Sequence, residues 1–117
     1  MSYNYRKEVW RPTQYPDYLI SNTGRVTSLK YHTVDNKYQR TLSQNPDRDG
    51  YMTCTLYPNK KYIKAKIHRL VAIAFCKGKT EKKSLALHKD GNLLFNHAKN
   101  LYWGTHKDNK ADSIRHG

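Results

Sequence analysis

Between Tyr51 and Phe75 the apolar residues change their spacing from two to nearly four without a break, and this stretch constrains the fold more than any other. Tyr62, Lys64 and Lys66 alternate with Ile63, Ala65 and Ile67, so a strand here has one cationic and one apolar face. Ile67, Leu70, Val71, Ala74 and Phe75 then follow at the spacing that makes one side of a helix apolar. β-formers from Tyr51 to Leu56 precede Pro58-Asn59-Lys60-Lys61, a turn sequence, so a hairpin running directly into a helix packed on it is predicted. Gly78 is expected to supply the helix C-cap.

On the N-terminal side, Glu8 to Val26 contains an apolar stretch, an Asn22-Thr23-Gly24 turn and a β-branched return, which reads as a first hairpin. Residues 31–50 are polar and turn-rich, a loop with a short strand near Tyr38 to Leu42. Ser84 to His88 forms a short strand, Asp90-Gly91-Asn92 a turn, and Asn100 to Gly104 a returning strand. Thr105 is a plausible N-cap with Asp108 three positions on, so a helix is predicted from 106 to about 114. The fold class expected is α+β: small hairpins and a helix leading into a strand, loop, strand and helix.

A chain of 117 residues suits one compact domain, 1–117, whose functional centre shares its only core. Lys and Arg number 22 against 9 acidic residues, a net charge of +13 spread along the whole sequence. That excess repels itself unless an anionic partner offsets it, and a folded cationic surface suits a phosphate backbone. Double-stranded DNA is the partner expected. No stretch approaches the roughly 20 apolar residues of a bilayer span, and Met1 to Lys7 lacks a signal-peptide apolar run. An intracellular protein, neither secreted nor membrane-bound, is expected, in the host cytoplasm if phage-encoded. Cys54 and Cys76 have no metal-binding spacing and are expected to be small core residues.

The residues His88-Lys89-Asp90-Gly91-Asn92, Asn96, Asn100-Leu101-Tyr102-Trp103-Gly104-Thr105 and Asn109 resemble the HNH endonuclease motif in its phage and homing-endonuclease branch. The segment from Tyr51 through His68-Arg69-Leu70-Val71-Ala72-Ile73-Ala74-Phe75 resembles the region preceding that motif, making 51–113 an HNH core with its ββα-metal (His-Me finger) element at 84–114. Trp10 with Tyr18 to Leu29 resembles the NUMOD4 module, placed at 8–30. The resemblance covers residues 8–113 and implies a metal-dependent nuclease that nicks or cuts DNA.

It also implies roles. His88 matches the general base, suited by a neutral imidazole that takes a proton from water. Asn100 matches the central residue, whose implied task at the catalytic site is to tie the loop between the strands. Asn109 matches the helical metal ligand, and its amide oxygen suits Mg²⁺ or Mn²⁺, with Mg²⁺ favoured. Asp112, three residues further along that helix, offers a carboxylate to the same ion. His106 is a further candidate ligand, more naturally turned to solvent or phosphate. One departure stands out: the position before the base commonly carries Asp, Asn or His as a second ligand, and here it is Leu87. A non-catalytic DNA-binding or regulatory descendant of such nucleases is therefore the alternative. No His-x3-His spacing occurs on the final helix, which argues against tightly held zinc.

The expected phosphate contacts are Arg25, Lys30, Lys60, Lys61, Lys64 and Lys66, with Lys89, Lys107 and Lys110 close to the chemistry. Larger members of the branch carry additional C-terminal DNA-binding modules, so modest sequence specificity is expected unless a dimer or a partner protein lengthens the footprint.

Overall fold

A computed structural model describes residues 7–29 and 41–109. Strands β1 (Trp10–Pro12), β2 (Tyr18–Ser21) and β3 (Val26–Ser28) form one antiparallel sheet. β2 and β3 turn through Asn22-Thr23-Gly24, as their turn chemistry requires. β1 adds a third strand, pairing Trp10 with Ser21. The Asn22 side chain accounts for it: Oδ1 accepts from the Val9 amide at 2.8 Å, and the Asn22 amide donates back to the Val9 carbonyl at 3.0 Å.

A second antiparallel sheet contains β4 (Asn45–Pro46), β5 (Met52–Leu56) and β6 (Ile63–Lys66). β5 and β6 are the predicted hairpin, in register from Thr53 opposite Lys66 to Leu56 opposite Ile63. β4 lies in the stretch read as loop. It forms because Asp47 accepts the Asp49 and Tyr51 amides through Oδ1, closing a tight turn onto β5, while Pro46 is tolerated on an edge strand. Most of the short strand predicted near Tyr38 to Leu42 lies outside the described residues; Thr41 bridges to Thr27.

Helix α1 (Ile67–Phe75) follows β6 directly and packs on β2, β5, β6, β7 (Leu85–His88) and β8 (Leu101–Gly104). Its stripe of Ile67, Leu70 and Val71 is buried against Ile20, Val26, Leu56, Ala65 and Leu101, each aliphatic contributing about 1.5–3 kcal/mol. A smaller cluster of Ala72, Ala86 and Trp103 lies on its other flank. The helix ends earlier than predicted, and Gly78 is not its cap. Cys76 is already extended, at φ −102° and ψ 130°. Its carbonyl accepts from Trp103 Nε1 at 3.1 Å, and its thiol faces the Ala98 and Leu101 carbonyls. Those contacts draw the chain off the helical path before Gly78 is reached. Cys54 is buried and Cys76 half-buried, both as free thiols.

β7 and β8 pair antiparallel from Leu85 opposite Gly104 to His88 opposite Leu101. At Thr105 the predicted reciprocal cap forms: the Thr105 amide donates to Asp108 Oδ2 at 2.9 Å and the Asp108 amide to Thr105 Oγ1 at 3.0 Å. A helical turn occupies 106–109. Among the described residues no helix is long and apolar enough to cross a membrane.

Candidate functional site

The polar side of β6 does not stop where the strand becomes a helix. Residues 62, 64 and 66 lie on one face, and His68, two residues further, stacks on Tyr51 with ring centres 4.9 Å apart. On its other neighbour, His68 meets His88 at 5.2 Å. Lys66 Nζ lies 5.0 Å from the Tyr51 ring centre and 3.8 Å from Asp47. Three rings and a lysine, from β6, α1, β7 and the residue before β5, thus converge beside the first turn of α1. Both imidazoles are buried, His68 6% and His88 5% exposed. Burial is the main cause that lowers the His68 pKa to about 3, with the charges of His88, Lys66 and Arg69 acting in the same direction.

His88 closes β7, and its Nε2 lies 2.7 Å from Asn96 Oδ1. An amide oxygen at that distance requires the proton on Nε2, which leaves the Nδ1 lone pair open to accept another. Burial lowers the His88 pKa, while the Asn96 bond and the Asp90 charge oppose that shift. Burial thus favours the neutral ring, the form a general base needs.

The loop from 89 to 100 is braced from inside. Asn100 Nδ2 donates to the Phe95 carbonyl at 2.9 Å and to Asp90 Oδ1 at 3.0 Å, and the Asn100 carbonyl accepts the Lys89 amide at 2.7 Å. The first sheet braces it from outside. The Ala98 amide donates to the Asn22 carbonyl at 2.8 Å, and Gly24 lies directly against Asn96.

A cleft of about 160 Å³ opens beside the histidines, lined by Tyr51, Lys66, His68, Arg69, Leu85, Ala86, Leu87 and Asn109. It is smaller than the ~300–1,000 Å³ typical of cofactor pockets, and suits a phosphate group better. Lys66 and Arg69 supply positive charge, and the first turn of α1, without a side-chain cap, adds its partial positive end. Asn109 reaches the cleft from the terminal helical turn, while His88 adjoins it through His68 and Leu87. Leu87 is buried and so close to Gly104 that a Cβ there would lie 2.6 Å from Leu87 Cδ1. Among the described residues no three His, Cys, Asp or Glu side chains cluster as a metal site. The amide oxygen of Asn109 beside a phosphate-sized cleft fits a hard cation held mainly by water and phosphate oxygens. Asp112, Lys30 and Lys110 lie outside the described residues.

Residues 8–57 match the NUMOD4 motif. The chain is 38% identical over 100 residues to DNA endonuclease I-HmuI of Bacillus phage SP01, covering 86% of this chain and 53% of that protein. The solved structure of DNA binding and cleavage by the HNH homing endonuclease I-HmuI superposes with a TM-score of 0.77 at 36% identity, covering 92% of this chain and 58% of that one. The chain is a homologue of HNH homing endonucleases. Two uncharacterized HNH endonucleases of Acanthamoeba polyphaga mimivirus are 34% and 38% identical over 88% and 97% of the chain, which spans 28% of each. The chain thus spans about half the length of the phage relative and about a quarter of the mimiviral ones.

Within this HNH homologue the basic residues divide. Lys60, Lys61, Lys64, Lys89 and Lys107 are exposed, as is His106. Arg25, expected at the phosphates, is exposed as well, and its guanidinium also pairs with the Glu8 carboxylate and rests 5.6 Å from the Trp10 ring centre. Glu8 is held down to about 2, chiefly by that guanidinium. Arg25 therefore fastens the segment before β1 to the first hairpin. His68, Tyr51 and Arg69 carried no role in the sequence reading. The signal for His68 was available: continuing the alternation of 62, 64 and 66 by one more step reaches it.

Proposed function

We propose that the chain is a metal-dependent HNH endonuclease that hydrolyses DNA phosphodiester bonds. The observation that carries this reading is the 2.7 Å bond from His88 Nε2 to Asn96 Oδ1, which directs the proton-accepting Nδ1 away from Asn96 in a buried, neutral ring. His88 takes a proton from water as the water oxygen bonds to phosphorus and the bond to the 3′-oxygen breaks. Lys66, Arg69 and the first turn of α1 hold the phosphate. Asn100 is a positioning residue that acts through the loop bearing Asn96. Asn109 and Asp112 would hold a divalent cation, Mg²⁺ foremost, which supplies charge neutralisation and stabilises the departing 3′-oxygen. Lys60, Lys61, Lys64, Lys89, Lys107 and the DNA backbone form the wider contact, joined by Lys30 and Lys110.

Plasmid cleavage in Mg²⁺ or Mn²⁺ tests the reading, with His88→Ala and a chelator as controls. Cleavage that needs both the imidazole and the metal supports it; equal cleavage by His88→Ala removes the proposed base. Leu87 favours a second reading, a DNA-binding or regulatory protein descended from such nucleases, because an apolar side chain fills the position where relatives of this branch commonly carry a ligand. Salt-sensitive duplex binding without cleavage in any divalent metal would select it.

A further inference from the structure

At the far end of the β5–β6 hairpin, two tyrosines face solvent together. Tyr57 and Tyr62 lie one step beyond the last paired residues, Leu56 and Ile63, and their ring centres are 4.4 Å apart. Tyr62 is 73% exposed and Tyr57 37%, the Tyr62 figure being the largest among the exposed large apolar side chains of the described residues. The pair forms an outward ridge.

The ridge is rigid. The turn beneath it closes with the Lys61 amide on the Pro58 carbonyl at 3.1 Å, and its two central residues, Asn59 and Lys60, both have positive φ, 51° and 64°. Such a turn matches the twist of a hairpin and keeps the two strand ends in register. The Tyr57 amide donates to the hydroxyl of buried Tyr18 at 2.8 Å, which ties the tip to the first sheet. A surface that is already ordered loses little entropy when a ligand covers it.

The charges around it say which ligand. Lys60 and Lys61 flank the rings in the turn, and Lys64 follows Tyr62 on the same face. Lys66, next on that face, lines the cleft beside His68. From Tyr62 to Lys66 is four residues of strand, about 13 Å, or about four base-pair steps of duplex DNA. Cations and rings therefore form one track from the cleft to the tip, with a spacing that duplex DNA shares.

We propose that the Tyr57–Tyr62 ridge is a second DNA contact, which seats aromatic surface on the bases of the duplex about four base-pair steps from the cleft. This rests on the nuclease reading above and adds to it a contact whose strength does not come from phosphate neutralisation. Ring contacts with bases persist at high salt, whereas each lysine–phosphate contact adds to the salt dependence.

The test is fluorescence anisotropy with a labelled random-sequence duplex across a series of salt concentrations. Tyr62→Ala is expected to weaken binding about tenfold at every salt concentration with an unchanged log–log slope, whereas Tyr62→Phe retains parental affinity. Lys64→Ala is expected to make the slope shallower by about 0.9. Parental affinity in Tyr62→Ala overturns the proposal, as does a changed slope in that variant. Loss of binding to phosphatidylserine vesicles in Tyr62→Ala, with duplex affinity intact, assigns the ridge to a membrane surface and also overturns it. If the parent binds duplex with the predicted Tyr62 dependence but never cleaves, the contact stands and the catalytic reading falls. If the parent does not bind duplex, both fall.

Discussion

Gly24, in the turn between β2 and β3, lies against Asn96, the residue that holds the His88 imidazole. A Cβ at position 24 would come within 3.2 Å of both the Asn96 Cβ and its carbonyl oxygen. The backbone there has φ +99°, a region that side chains other than glycine rarely enter. The first sheet and the candidate base are thus two contacts apart, although 64 positions separate Gly24 from His88 in the chain.

Gly24→Ala is expected to cost about 1–3 kcal/mol of stability, from the backbone conformation and the crowding together. Because the displaced neighbour is Asn96, cleavage is expected to fall by more than the unfolded fraction explains. Urea denaturation alongside cleavage rates at a temperature where the variant is folded checks this; a folded variant with full activity would show that the contact does not reach His88.

Asn96 itself separates orientation from protonation. Asn96→Ala removes the acceptor for His88 Nε2 and is expected to lower cleavage about 10²-fold or more, the range of positioned acid–base catalysis. Asn96→Asp places a carboxylate at the same distance, which raises the His88 pKa. A base must be neutral, so the acidic limb of the pH–rate profile is expected to move to higher pH. A limb that stays put in Asn96→Asp would mean that another group sets it.

His68 makes the fold acid-sensitive. Its ring is neutral when folded, with a pKa near 3 against an ordinary 6.5, so over that interval the unfolded chain binds the proton more readily. Stability is fully present above about pH 6.5 and is lost as pH falls below it, by up to about 1.4 kcal/mol per pH unit. The lowered His88 pKa adds in the same direction. His68→Gln, which cannot titrate, is expected to flatten the dependence of melting temperature on pH between about 4 and 6.5. An unchanged slope would remove His68 as its source.

Leu87 offers the converse experiment. Leu87→Asp places a carboxylate beside Asn109 in the cleft wall, at an expected cost of about 2–4 kcal/mol for burying a polar group where an aliphatic one packed on Gly104. Calorimetric Mn²⁺ affinity is expected to rise, with lost stability recovered on adding metal. No gain in affinity in a folded variant would show that the position does not face the cation.

Periodicity and turn chemistry are local properties, and what depended on them was legible in the chain. The alternation through Lys64 and Lys66, the helical stripe from Ile67, the Asn22-Thr23-Gly24 turn and the reciprocal Thr105–Asp108 cap each involve residues within a few positions of one another. The family pattern likewise survives as an order of residue types. What only the tertiary structure decided is which side chains meet across elements: His68 beside His88, Asn96 on its Nε2, Gly24 beneath Asn96, and Arg25 paired with Glu8. Those meetings follow from how α1 packs at once on both flanking sheets and on the final hairpin. Burial of the apolar stripe sets that arrangement, and no spacing along the chain encodes a distance between residues that only the packed core brings together.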